Sequence, residues 1–163
     1  MKLSIVVPAV NEEQNVGILA TEIKKTLKTA KLDYELIFVD DGSTDGTRAA
    51  LRALHAKDKN VKVLFHRKNF GQTAAMDSGI KHAKGDVIIT MDADLQNDPS
   101  DIPRLLAKMN EGFDVVSGWR KNRQDPFSKK ILSLFAGSIR RSLTKEKIHD
   151  SGCTLKAFKR ECF

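Results

Sequence analysis

The 163-residue chain holds only two cysteines, one tryptophan and one tyrosine, and it has no long apolar run. Each shortage excludes a class of protein. Cys153 and Cys162 are too few for a disulfide framework and too few for a zinc site. The opening Met1-Lys2-Leu3-Ser4-Ile5-Val6-Val7-Pro8 is too short in apolar residues for a secretory leader. No later run reaches the roughly 18 apolar residues of a spanning helix. The expectation is a cytoplasmic chain, soluble or peripheral to a membrane. Trp119 and Tyr34 offer little surface on which bases could stack, so no nucleic-acid partner is expected. The four prolines and ten glycines form no linker, and no repeat or low-complexity tract occurs. The reading is one domain over residues 1–163, long enough to bury a single core.

Positive excess is also missing from most of the chain. Residues 1–118 carry 16 basic and 17 acidic side chains, whereas residues 119–163 carry 12 and 4. The formal charge of +7 therefore arises entirely in the last 45 residues. A protein that coats nucleic acid is basic more evenly, so this pattern points to a local anionic partner.

Short β-branched runs alternate with amphipathic stretches. Leu3–Val7, Tyr34–Val39, Val61–Phe65 and Val87–Met91 read as buried strands, with Asp114–Ser117 as a fifth. Residues 12–30 set Val16, Leu19, Ile23 and Leu27 on one helical face, and residues 44–57 group Ala50, Leu51 and Leu54. Residues 70–84 and 99–111 follow the same rule, the latter opening on Asp98-Pro99. This alternation predicts an α/β fold, a mostly parallel sheet with helices on both faces.

Each of the first four predicted strands runs into a polar cluster: Asn11-Glu12-Glu13, Asp40-Asp41-Gly42-Ser43-Thr44-Asp45, His66-Arg67-Lys68-Asn69-Phe70-Gly71 and Asp92-Ala93-Asp94-Leu95-Gln96. Open parallel sheets bind ligands at the carboxyl ends of their strands, so these clusters mark a site. Asp92 and Asp94 are the sharpest signal. Two carboxylates so close call for a counter-cation, and hard oxygen ligands suit Mg²⁺ or Mn²⁺ on a diphosphate. Gln96 could add a neutral oxygen. In the second cluster Ser43 or Thr44 could cap the next helix, and Gly42 could make the turn. Capping does not need paired aspartates, which could instead accept from a ribose hydroxyl or a base N–H. No Gly-x-Gly-x-x-Gly follows the first strand, and neither a P-loop nor a serine nucleophile elbow occurs. The four histidines receive no role.

Taken in order, Val7-Pro8-Ala9-Val10-Asn11-Glu12-Glu13, Val39-Asp40-Asp41-Gly42-Ser43-Thr44-Asp45, Arg67-Lys68-Asn69-Phe70-Gly71-Gln72 and Met91-Asp92-Ala93-Asp94-Leu95-Gln96 resemble the family 2 inverting glycosyltransferases of the A-type fold. Val116 to Asp125 and Asp150 to Lys156 resemble its polyprenyl-phosphate branch, which includes dolichyl-phosphate mannose synthases and bacterial undecaprenyl-phosphate sugar transferases. The resemblance implies a nucleoside-diphosphate-sugar donor, UDP before GDP, and a polyprenyl-phosphate acceptor at an anionic membrane surface. It places Pro8, Asn11, Glu12, Asp40, Asp41, Arg67 and Gly71 around the donor. It gives a divalent metal to Asp92, Asp94 and Gln96, and donor or acceptor phosphates to Arg120, Arg123 and Lys156. By the same resemblance Asp94, Asp150 and Arg120 would form the catalytic group. A lipid phosphate is already dianionic at neutral pH, its second pKa being about 6, so Asp150 is expected to position the acceptor more than to act as a base.

Phe127, Ile131, Phe135, Ile139 and Leu143 recur every four residues, with Lys129, Lys130, Arg140 and Arg141 outside that set. Residues 127–147 are therefore expected to form a basic amphipathic segment, either interfacial or core-facing with a solvated cationic back. Relatives continue beyond the position of Phe163, so the chain is expected to be truncated on its acceptor side, and a homo-oligomer is compatible with the pattern. A non-catalytic nucleotide-sugar-binding or membrane-docking fragment is the competing reading, as is a family 2 enzyme acting on a glycan hydroxyl.

Overall fold

In the computed structural model, which describes residues 1–119, 150 and 152–163, the apolar runs form one six-stranded sheet. The strands are β1 (Lys2–Ala9), β2 (Asp33–Asp40), β3 (Val61–Phe65), β4 (Val87–Thr90), β5 (Val115–Ser117) and β6 (Lys156–Lys159). The helices are α1 (Val16–Thr29), α2 (Thr47–Lys57), α3 (Gln72–His82) and α4 (Ile102–Met109). The strand order is β3-β2-β1-β4-β6-β5. β1, β2, β3 and β4 run parallel, as expected from their continuous apolar character. β6 lies antiparallel between β4 and β5. The sequence reading did not contain β6, because Lys-Ala-Phe-Lys is short and charged at both ends. It is a strand through its two partners.

Side chains alternate across the sheet, and each face meets its own helices. Leu3, Ile5 and Val7 of β1 join Leu36 and Phe38 of β2 against Val16, Leu19, Ile23 and Leu27 of α1. Leu51 of α2 and Ile102, Leu105, Leu106 and Met109 of α4 complete that layer. Val6, Ile37, Val39 and Ile88 face the other way, onto Ala75, Met76 and Ile80 of α3. Each fully buried Leu or Ile contributes about 1.5–3 kcal/mol, so the strands that carry the polar ends are firmly seated.

Helix starts depart from the expected ranges. α1 begins at Val16 after a turn in which Asn15 N–H and Val16 N–H donate to Glu12 C=O. α2 starts at Thr47 with Gly46 as its N-cap, so neither Ser43 nor Thr44 caps it. Asp45 Oδ1 accepts the N–H and the hydroxyl of Thr47 at 3.0 and 2.6 Å instead. Asp98 does accept from Ser100 N–H at 2.8 Å, opening a short 3₁₀ turn, Pro99–Asp101, that leads into α4. Residues 127–147, read as a basic amphipathic segment, lie outside the described residues. Among the described residues, no helix is long and apolar enough to cross a membrane.

Candidate active site

β2 and β4 flank β1 on opposite sides, and their carboxyl ends open onto one cavity of about 280 Å³. Pro8, Ala9, Val10 and Glu12 line it from the end of β1, and Asp41 from beyond β2. Asn69 enters from the loop after β3 and Gln72 from the start of α3, and Asp92, Ala93 and Asp94 follow β4. This is the place in an open parallel sheet where the connections diverge and a ligand can enter. A larger cavity of about 520 Å³ lies at the opposite edge of the sheet, among Met1, Asp86, Val87, Leu106, Met109 and Lys159. It gathers no comparable set of acids, so chemistry and not volume selects the smaller one.

The Asp92 carboxylate is held on both oxygens. Gln72 Nε2 donates to Oδ1 at 2.5 Å, and the Thr154 hydroxyl donates to Oδ2 at 2.8 Å. Asp94 is exposed, and its Oδ1 accepts from Gln96 N–H at 3.1 Å. Between them Leu95 takes a positive φ of 62°, uncommon for a residue with a Cβ. Gln96 meets Asp94 through its backbone, and its exposed side chain is absent from the cavity lining. Among the described residues no three acids, histidines or cysteines come together as a metal cage. Two carboxylates beside a cavity fit a hard cation that keeps most of its coordination for substrate phosphates.

The paired aspartates of the second cluster divide their labour. Asp40 is fully buried and turned inward, where Arg48 Nε donates to it at 2.6 Å. Asp41, not Asp40, lines the cavity. Its Oδ1 accepts from Phe70 N–H at 2.9 Å and its Oδ2 from Gly71 N–H at 2.8 Å. His66 Nδ1 meets the same Oδ1 at 2.7 Å, while His66 Nε2 meets the Ser78 hydroxyl at 2.9 Å. Burial pushes the Asp41 carboxyl up, but these hydrogen bonds outweigh it and hold the group below the usual carboxylate range. Gly42 makes the turn at φ 76°, and a Cβ there would lie 2.4 Å from Asn69 N, so only glycine lets the two loops touch.

The other expected residues take varied places. Asn11 stays out of the cavity lining and ties β1 to the next loop, its Oδ1 accepting from Thr44 N–H at 2.9 Å. Glu12 lines the cavity and accepts from Asn15 Nδ2 at 2.6 Å. Arg67 is exposed, 5.9 Å above the Phe70 ring, and Gly71 contributes its backbone N–H to Asp41. Lys156 opens β6 opposite Thr90 and Ser117, which puts it at the same carboxyl edge as the acids. Asp150 Oδ1 accepts from Gly152 N–H at 3.1 Å. Arg120 and Arg123 lie outside the described residues. Sequence reasoning passed over Arg48, His66, Gln72, Asn97 and Thr154. His66 and Gln72 stood within a quoted strand-end motif, and Thr154 stood within the stretch Asp150 to Lys156 that carries the branch resemblance.

The family model for glycosyl transferase family 2 matches residues 4–163. The chain belongs to that family. It is 41% identical over 160 residues to an undecaprenyl-phosphate 4-deoxy-4-formamido-L-arabinose transferase of Proteus mirabilis, covering 98% of this chain and 49% of that protein. It is 43% identical over 162 residues to a dodecaprenyl-phosphate galacturonate synthase of Rhizobium johnstonii, covering 98% of this chain and 48% of that protein. The chain thus spans about half the length of these curated relatives. Glucosyl-3-phosphoglycerate synthase from Mycobacterium tuberculosis, solved with Mn²⁺, UDP and phosphoglyceric acid, superposes with a TM-score of 0.77 at 23% identity. That match covers 98% of this chain and 56% of the synthase. A mannosyltransferase from Pyrobaculum calidifontis, solved with GDP-Man and Mn²⁺, gives 0.69 at 23% identity over 98% of this chain and 44% of its own. At such identity these structures establish a shared fold.

Proposed function

We propose that the chain transfers a sugar, with inversion, from a nucleoside-diphosphate-sugar to a polyprenyl phosphate. One observation carries this reading: Asp92 and Asp94 meet Glu12, Asp41 and the β1 end in a single cavity. The polyprenyl-phosphate names of the relatives from Proteus and Rhizobium support the acceptor class. Pro8, Glu12, Asp41 and Asn69 would surround the nucleoside, and Asp92 and Asp94 would hold Mg²⁺ or Mn²⁺. When bound, such an ion neutralises the diphosphate and makes it a better leaving group.

A phosphate oxygen of the acceptor attacks the anomeric carbon while the bond to the nucleoside diphosphate breaks. The attacking phosphate is already dianionic at neutral pH, so the protein's task is to gather anions more than to remove a proton. Arg120, Arg123 and Lys156 serve that task, and Asp150 positions the acceptor. The reaction is placed at the cytoplasmic face of an anionic membrane, reached through the basic residues after Gly118.

Calorimetric titration with UDP- and GDP-sugars, with and without Mn²⁺, tests the reading. Mn²⁺ is expected to tighten binding, with UDP favoured over GDP, and Asp94→Ala to remove the metal-dependent part. Binding that ignores both the metal and this substitution overturns it.

A further inference from the structure

We infer that Thr154 is a positioning residue that orients the Asp92 carboxylate toward a bound divalent ion. This rests on the reading of Asp92 and Asp94 as the ion-holding pair. Thr154 lies in the short segment before β6, far along the chain from the loop after β4, and three side chains bind the two segments together. The Thr90 hydroxyl donates to the Thr154 carbonyl at 2.7 Å, fixing the backbone. Asn97 Nδ2 donates to Thr154 Oγ1 at 2.9 Å, and Thr154 Oγ1 donates to Asp92 Oδ2 at 2.8 Å.

The order of these bonds matters. A hydroxyl has one proton and two lone pairs. Because the Asn97 amide occupies a lone pair, the Thr154 proton is left to point at Asp92. Asn97 is itself 8% exposed, and the Cys153 thiol lies 3.9 Å from its Oδ1, which leaves the NH₂ end toward Thr154. Thr90 is 5% exposed. The direction of the hydroxyl is therefore dictated from the interior outward. With Gln72 on Oδ1 and Thr154 on Oδ2, the carboxylate cannot swing without breaking a hydrogen bond on one side or the other. Hydrogen-bond partners of this kind set the orientation and basicity of a ligand, and losing one typically costs about 10- to 100-fold in metal affinity.

The clasp also joins two parts of the site. Asp92 belongs to the donor side, whereas Thr154 precedes Lys156, which opens β6 at the edge where acceptor phosphates are placed. A single hydroxyl thus connects them.

The test is UDP binding by calorimetry, with and without Mn²⁺, on the wild-type chain and on Thr154→Val, Thr154→Ala and Thr154→Ser. Val keeps the branched shape without the hydroxyl, and Ala avoids any new methyl against Asp92. Both are expected to bind UDP normally without metal, which also reports that they are folded. Both should lose about tenfold or more of the tightening that Mn²⁺ gives. Ser should recover most of it. Val and Ala variants that keep the full Mn²⁺ effect overturn the role of Thr154 while leaving the metal reading intact. A wild-type chain whose UDP affinity ignores Mn²⁺ overturns both.

Discussion

Asp41 shows how a buried carboxylate can be made both stable and useful. Its two oxygens hold the backbone of Phe70 and Gly71, so the loop before α3 is shaped around a charge. His66 ties that charge to Ser78 on α3, so the histidine braces a residue of the cavity wall from outside the lining. Because the folded group titrates below its ordinary value, its stabilisation is fully present above the unfolded value of about 4 and is lost as pH falls through the folded one. Asp41→Asn turns one acceptor into a donor that faces N–H groups. Urea unfolding at pH 7 is expected to show a loss of about 1–3 kcal/mol. The gap between variant and wild type should begin to narrow below about pH 4, where the carboxyl of the unfolded wild-type chain gains its proton, and go on narrowing as the folded carboxyl gains its own. An equal gap at pH 7 and pH 3 would contradict this account.

α3 carries the Gln72 end of the site, and it lies very close to the sheet. A Cβ on Gly79 would fall 2.3 Å from Val6 Cγ1 and 3.1 Å from Val39 Cγ2. Those are short, stiff side chains of central strands, unable to yield as a long flexible one would. Alanine is the better helix former by about 1 kcal/mol, but overpacking a core of this kind typically costs about 1–3 kcal/mol. Packing wins. Gly79→Ala is expected to lower the melting temperature and weaken donor binding, because α3 must back away with Gln72. Gly17 of α1 has nothing within 4 Å of an added Cβ, so Gly17→Ala should instead raise the melting temperature. Thermal unfolding of the two variants side by side decides the matter, and a shift of the same sign in both would refute it.

At the scale of the chain, the first 118 residues are nearly balanced in charge and the positive excess comes last, so the acid-lined cavity and the basic stretch are separate along the sequence. The net positive charge of residues 119–163 predicts attraction to anionic lipid. Flotation with vesicles of anionic phospholipid should carry the protein along, while neutral vesicles should not. Raising salt from about 0.1 M to about 1 M shortens the screening length from about 10 Å to about 3 Å and should release it. Replacing Lys129, Lys130, Arg140 and Arg141 by glutamine should do the same, and undiminished binding would discard the membrane reading. The α/β class, the first five strands, the four helices and the strand-end acids were legible because period and apolarity are local properties. Asp92 and Asp94 could be singled out because two close carboxylates after an apolar strand have a physical need that needs no fold to state. β6 could not be read, since its four residues become a strand only between β4 and β5. Nor could the inward turn of Asp40, which depends on Arg48 reaching it from α2. Thr154 meets Asp92 across 62 positions of sequence, and such a hydrogen bond exists only once the sheet has brought both ends to one edge.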